Sequence, residues 1–172
     1  MKMIIGVISD THDRVNAIEK SVEIFNAKGV DAVLHCGDFV APFALAPFKK
    51  LKAPFYAVFG NNDGEKEGLF KLFDEAGWSL KPRPWLFELD GTRIAMLHEP
   101  APIAEIVRDE RADLIVFGHT HEALCEERNG IMIVNPGEGC GWVKKRSTLA
   151  TVDLASRTAQ IESIFPEGEH IK

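Results

Sequence analysis

Two histidines two residues apart, His119 and His121, end an apolar run in the phrase Gly118-His119-Thr120-His121 of this 172-residue chain. In extended chain, side chains at i and i+2 point to one side, so both imidazoles can serve one place. Matching polar clusters follow three earlier apolar runs: Asp10-Thr11-His12, Gly37-Asp38 and Gly60-Asn61-Asn62-Asp63. A lone His98 follows a fourth. Carboxylate, imidazole and amide oxygen together suit Mn, Fe, Ni, Co or Zn, and a set without thiolates disfavours a structural zinc site. Asp38 is placed to bridge two ions. Such a bridge holds a pair at roughly 3.5–4 Å, the separation used by two-metal phosphoryl-transfer enzymes.

Each cluster, taken singly, has a plainer reading. Asp10 and Asp38 could cap helices, His12 could be a loop histidine, and Asn61-Asn62-Asp63-Gly64 could be a turn. His98 could be an ordinary strand-end residue. The joint pattern decides: of the six histidines, four (His12, His98, His119 and His121) fall at strand ends. His35, inside a run beside Cys36, is expected to be a buried residue or one that supports the site from behind. His170, near the end of the chain, is expected to have no role. Glu138 and Cys140 lie in a glycine-rich loop after Asn135-Pro136, read as a turn and left outside the catalytic set. That loop lacks the lysine and the strand-to-helix context of a phosphate-cradling P-loop.

The elements that must position these residues follow from periodicity. Met3 to Ile8, Ala32 to Cys36 and Phe55 to Phe59 are short apolar runs of the kind buried parallel strands show. Between them, Val15, Ile18, Val22 and Phe25 predict a helix over 14–28 ending at Gly29. A helical segment over 39–51 is interrupted by Pro42 and Pro47, and a further helix is expected over 65–76. After this β-α alternation the texture changes. Trp85–Leu89 and Thr92–Leu97 flank Asp90-Gly91, a tight-hairpin signature. A short helix over 102–110, a strand at 114–117, and hairpins pairing 122–127 with 131–134 and 147–152 with 158–164 complete the chain. The order predicts one α/β domain over 1–172, a mixed two-sheet core with helices outside. Ligand-binding side chains then collect past the carboxyl ends of the strands.

Net charge is −6, and the densest basic stretch is Lys144-Lys145-Arg146, which weighs against a long nucleic-acid surface. Three cysteines, Cys36, Cys125 and Cys140, form no CxxC pair, which suits a reducing cytoplasm. No apolar stretch approaches the length of a membrane span, and the opening run reads as a first strand and not as a signal peptide. Trp78, Trp85 and Trp142 could be core or could mark an interface, so a homo-oligomer stays open.

At these residues the sequence resembles the calcineurin-like metallophosphoesterases. An Asp-x-His (Asp10, His12), a Gly-Asp (Asp38), a Gly-Asn (Asn61), a lone His (His98) and a Gly-His-x-His (His119, His121) occur in the family's order. The run Asn135-Pro136-Gly137-Glu138 looks like the family's small single-domain branch, archaeal and bacterial phosphodiesterases and a retromer subunit used as a protein-binding scaffold. The resemblance implies a four-layer α-β-β-α sandwich of two mixed sheets flanked by helices. It implies two divalent ions, Mn the expected assay ion, one held by Asp10, His12, Asp38 and His121. The other would be held by Asp38, Asn61, His98 and His119, with a solvent hydroxide shared. The implied activity is hydrolysis of a small phosphodiester, with Asp38, Asn62 and His98 as the catalytic set. Asn62 would also contact substrate, and Arg14 could add a positive contact or simply be a solvated helix residue. A scaffold, a nuclease and a phosphomonoesterase are the alternatives the resemblance admits. Two departures stand out. Many family phosphomonoesterases continue Gly-Asn with His-Glu where this chain has Asn62-Asp63, and the lone histidine is commonly followed by glycine where this chain has Glu99-Pro100. Glu99 could add negative charge near the second ion or point to solvent, and solvent is the expectation.

Overall fold

The computed structural model describes residues 3–166; His170 lies outside the described residues. Strands β1 (Ile4–Ile8), β2 (Ala32–His35), β3 (Phe55–Val58) and β4 (Ser79–Lys81) run parallel. They are joined by helix α1 (Val15–Lys28), a 3-10 segment (Pro42–Lys50) and helix α2 (Lys66–Glu75). The chain then builds β5 (Trp85–Leu89), β6 (Thr92–Met96), helix α3 (Ile103–Arg108), β7 (Leu114–Val116), β8 (Ala123–Arg128) and β9 (Ile131–Pro136). Finally β10 (Thr148–Asp153) and β11 (Thr158–Ser163) return to the first sheet. The first sheet has the order β11-β10-β1-β2-β3-β4 and the second β5-β6-β7-β9-β8, and both mix parallel and antiparallel pairs.

Strand alternation sorts the apolar side chains into three layers. Ile5, Val7, Leu34 and Val58 of the first sheet meet Ile94, Met96, Leu114 and Val116 of the second, forming the inter-sheet core. Ile8, Val33 and Phe55 point the other way, onto Ile18, Val22 and Phe25 of α1, Phe48 of the 3-10 segment and Leu69 and Phe73 of α2. On the far side Ile115 and Phe117 pack against Ile103, Ile106 and Val107 of α3. The result is the expected four-layer α-β-β-α sandwich.

Two details differ from the sequence expectation. The 39–51 segment winds as a 3-10 helix over Pro42–Lys50, with Pro47 inside it, where in an α-helix the proline ring would clash with the carbonyl four residues earlier. The three-residue strand β4 was not anticipated, being too short to show a period. The terminal hairpin, which the sequence assigns to neither sheet, joins the first sheet at β1, so a late segment of the chain backs an early strand. Trp78 packs edge-on against Phe55 and Phe73, Trp85 stacks on Phe87, and Trp142 is half exposed.

Candidate metal centre

Strands β1, β2, β3, β6 and β7 are mutually parallel within their sheets and end on one rim, where Asp10, Asp38, Asn61, His98 and His119 follow within three residues. The loops are laced together through the backbone. Asp10 N–H donates to the Gly37 carbonyl at 3.0 Å and His12 N–H to that of Asp38 at 3.1 Å, while Gly118 N–H reaches the His98 carbonyl at 3.1 Å. Asp10, His12, Asp38, His119 and His121 all have positive φ, between 39° and 67°. Such backbone costs on the order of 1–3 kcal/mol per residue and persists where the surroundings over-determine it. Two motif glycines are required by close approach. A Cβ on Gly60 would lie 2.0 Å from Asp38 Oδ1, and one on Gly118 would lie 2.5 Å from Asp10 Oδ2.

The structure brings all seven candidate ligands to this rim. Asp10 Oδ1 lies 3.4 Å from His121 Nε2 and 3.9 Å from His12 Nε2. Asp38 Oδ2 lies 3.4 Å from His12 Nε2 and 3.5 Å from His98 Nε2. Asn61 Oδ1 sits between His98 Nε2 at 2.8 Å and His119 Nδ1 at 2.9 Å. Donor atoms of Asp10, His12 and His121 cluster within 4.8 Å, as do those of Asp10, Asp38 and His98. Asp10 Oδ1 and His12 Nε2 are buried without a hydrogen-bond partner. Leaving such atoms unpaired is expensive, and a cation between them would satisfy both. Burial raises the Asp10 carboxyl pKa against the opposing pull of Ser9 and His98. At Asp38 burial acts the same way but is outweighed by His98 and by two hydrogen bonds from Asn62, which hold the carboxyl well below its usual range. Residues and charge therefore fit a divalent-cation site.

Several side chains aim these ligands from behind. His98 Nδ1 donates to the Cys36 carbonyl at 2.7 Å, which leaves Nε2 for the site. His121 Nδ1 meets Glu138 Oε2 at 2.5 Å, leaving its Nε2 facing Asp10. Glu138 is fully buried and also accepts the N–H groups of Val143 and Lys144. His35 is buried as expected and accepts Gly37 N–H at Nδ1. It is therefore neutral, with Nε2–H toward Thr11 Oγ1 at 3.1 Å, and burial holds its pKa well below the ordinary value. Asp63 accepts four backbone N–H groups, those of Phe39 and Val40 on one oxygen and of Asp38 and Gly60 on the other.

Glu138 and Asp63 were read from sequence as parts of turns. The one signal for Glu138 was its place just past β9, which runs parallel to β7 and ends on the same rim. A second grouping, His121, Glu138 and Cys140, also has ligand spacing. Burial pushes the Cys140 thiol up to about 12, so in the metal-free protein it stays protonated.

Two expectations meet a different arrangement. Glu99 does not stand free in solvent; Arg83 grips it through two bonds of 2.5 and 2.6 Å. Arg14 is buried, its Nη1 donating to the Cys140 carbonyl and to Ser147 Oγ, with the guanidinium over the Phe165 ring. It thus braces the loop after Glu138. Asn62 reaches the site, where its Nδ2 donates to Asp38 Oδ2 at 2.7 Å.

Two mixed sheets between helices, with carboxylates and imidazoles gathered on one strand-end rim, define a metallophosphoesterase-type fold. The calcineurin-like phosphoesterase superfamily domain matches residues 3–157, and the chain belongs to that superfamily. Phosphodiesterase MJ0936 of Methanocaldococcus jannaschii is 36% identical over 161 residues, covering 90% of this chain and 95% of the relative. The solved structure of an archaeal phosphodiesterase superposes with a TM-score of 0.88 at 34% identity, covering 94% of this chain and 99% of the other. Vacuolar protein sorting 29 of Cryptosporidium parvum shares the fold alone, with a TM-score of 0.64 at 17% identity over 94% and 96% of the two chains. Among the described residues no helix is long and apolar enough to cross a membrane.

Proposed function

We propose that the chain hydrolyses small phosphodiesters with the help of two divalent ions, Mn being the first to assay and Ni, Fe, Co and Zn the alternatives. The observation that carries this reading is that Asp10 Oδ1 and His12 Nε2 are buried without a hydrogen-bond partner beside Asp38 and His121. One ion would be held by Asp10, His12, Asp38 and His121, the other by Asp38, Asn61, His98 and His119. When bound, such a pair acidifies water and neutralises phosphoryl oxygens.

The chain's own residues supply the rest. Asp38 reaches both groups of ligands and is kept ionised by His98 and Asn62. Once the lone pairs of Asp38 are engaged by cations, the Asn62 amide is free to donate to a phosphoryl oxygen. An amide has no proton to release near neutral pH, so position 62 offers no general acid for a poor leaving group. A diester with a good leaving group suits this site better than an alkyl monoester. The similarity to a protein named as a phosphodiesterase points the same way.

The test is hydrolysis of an activated aryl phosphodiester by metal-stripped protein, with and without Mn²⁺, beside Asp38→Asn. Turnover that requires the ion and collapses in the variant supports the reading. Metal-loaded, folded protein no faster than Asp38→Asn would overturn it and favour a non-catalytic scaffold. Asn62→His supplies the missing acid and is expected to raise the monoesterase-to-diesterase ratio by about tenfold or more, general acids contributing roughly 10²–10⁴. A ratio unchanged in a variant that still binds metal would refute that role.

A further inference from the structure

Asn61 and His98 come from different sheets, one following β3 and the other β6. Each must be aimed at the same point from an independent support. Asn61 is exposed, and its Oδ1 touches only the His98 and His119 rings, both candidate ligands themselves. Its side chain therefore has no separate anchor among the described contacts, and its position depends on its backbone.

Arg83 lies in the connection between β4 and β5, where the chain passes from the first sheet to the second. Its Nη1 donates to the carbonyls of Phe59 at 2.8 Å and Gly60 at 3.3 Å, the two residues before Asn61. Its Nε and Nη2 form a two-pronged pair with Glu99, the residue after His98. The guanidinium thus spans the gap between the sheets and fastens both ligand-bearing loops. A planar fork puts Nη1 on the two carbonyls while Nε and Nη2 take both carboxylate oxygens, a spread that the single nitrogen of a lysine does not have. The pair is about two-thirds buried, Arg83 being 28% and Glu99 33% exposed, so it is less screened than a surface ion pair.

We propose that Arg83, with Glu99, is a positioning residue that sets the spacing of Asn61 and His98 and so tunes the affinity of that half of the centre for its ion. The inference rests on the two-ion reading above. The opposite half, with Asp10, His12 and His121, is held by Glu138 and by the backbone bonds of Gly139 to Ser9 and Cys140 to Asp10, which do not involve Arg83.

The experiment is calorimetric titration of metal-stripped protein with Mn²⁺, with Mn²⁺ electron paramagnetic resonance to distinguish single from coupled ions. Wild type, Arg83→Gln, Arg83→Lys and Glu99→Gln are compared, and thermal melting of the metal-free proteins reports folding. The expected result is two ions in wild type. In Arg83→Gln one ion is retained at near wild-type affinity and the second is weakened at least tenfold, with loss of the coupled signal. Arg83→Lys should not restore it, because charge without the fork does not reach both loops. Glu99→Gln, which leaves Arg83 on the two carbonyls, should show a smaller loss and serves if Arg83→Gln does not fold. Unchanged binding of both ions in Arg83→Gln and Glu99→Gln, or equal weakening of both, would overturn the role of Arg83. Fewer than two ions in wild type would overturn the two-ion reading itself.

Discussion

Asp63 offers the sharpest test of how the rim is held. It is 4% exposed, and its oxygens accept N–H groups from Phe39 at 2.6 Å, Val40 at 2.8 Å, Asp38 at 3.1 Å and Gly60 at 2.6 Å. Asp63→Asn keeps the shape but only one acceptor oxygen. If that oxygen stays on Phe39 and Val40, an NH₂ group faces the N–H groups of Asp38 and Gly60. Two buried donors lose their partner, at about 1–3 kcal/mol each, so roughly 2–6 kcal/mol before relaxation. Water admitted at the rim recovers part of this, and a net loss of about 3 kcal/mol is expected, or about 6–12 °C in Tm for a domain of this size. Urea unfolding of metal-free protein followed by two probes measures it, and Mn²⁺ titration should show weakened binding because Asp38 shifts. A loss below about 0.5 kcal/mol with unchanged Mn²⁺ affinity would refute the argument, for surface substitutions fall in that range.

Gly60→Ala would drive a Cβ to within 2.0 Å of Asp38 Oδ1 and 2.3 Å of the Asp38 backbone nitrogen, so the two loops must part, and both the Tm of the metal-free protein and its Mn²⁺ affinity should fall, the latter by an order of magnitude or more; wild-type affinity and Tm would show that the loop yields freely. In metal-free protein burial opposes charge on His98, but Asp38, Asp10 and the Cys36 carbonyl raise its pKa above the ordinary value. Its contribution to stability is therefore full below the unfolded pKa and lost as pH rises through the folded one. Because the same proton competes with an ion at Nε2, Mn²⁺ affinity should fall as pH drops through that value; imidazole NMR titration together with pH-dependent calorimetry checks both. Burial raises the Cys36 and Cys140 thiols, the latter to about 12, whereas Cys125 is exposed. A thiol-specific disulfide reagent at about pH 8, near the free thiol value, should titrate one cysteine in native protein and three in denaturant. A second thiol reacting natively at a similar rate would contradict this.

The candidate ligand set was legible because strand ends are local features. An apolar run of four to six residues with Asp, Asn or His just past its end marks the rim whatever the rest of the chain does. The supports were hidden for the opposite reason. Glu138 meets His121 from 17 residues away, Asp63 reaches Phe39 from 24, and Arg83 reaches Phe59 from 24 and Glu99 from 16. No period or motif encodes those pairings. Arg14 was placed correctly at the start of α1, but spacing does not say which way a long side chain turns, and it turns toward the Cys140 carbonyl.

Charge at the rim depends on those unseen pairings. Asp10, Asp38, Asp63, Glu99 and Glu138 all lie at or beside it, and the sequence alone would assign five negative charges there. In the fold, Asp63 is spent on four backbone donors, Glu99 on Arg83, and Glu138 on His121 and two backbone N–H groups. Asp10 keeps an oxygen with no hydrogen-bond partner, faced by the His12 and His121 imidazoles, and Asp38 is matched only by Asn62 and by imidazoles that are themselves candidate ligands. The carboxylates left for a cation are thus the two that the motif pattern selected, and the other three are consumed in holding them. A substitution at Asp63, Glu99 or Glu138 should therefore act on metal affinity through geometry, whereas one at Asp10 or Asp38 removes the negative charge an ion would meet.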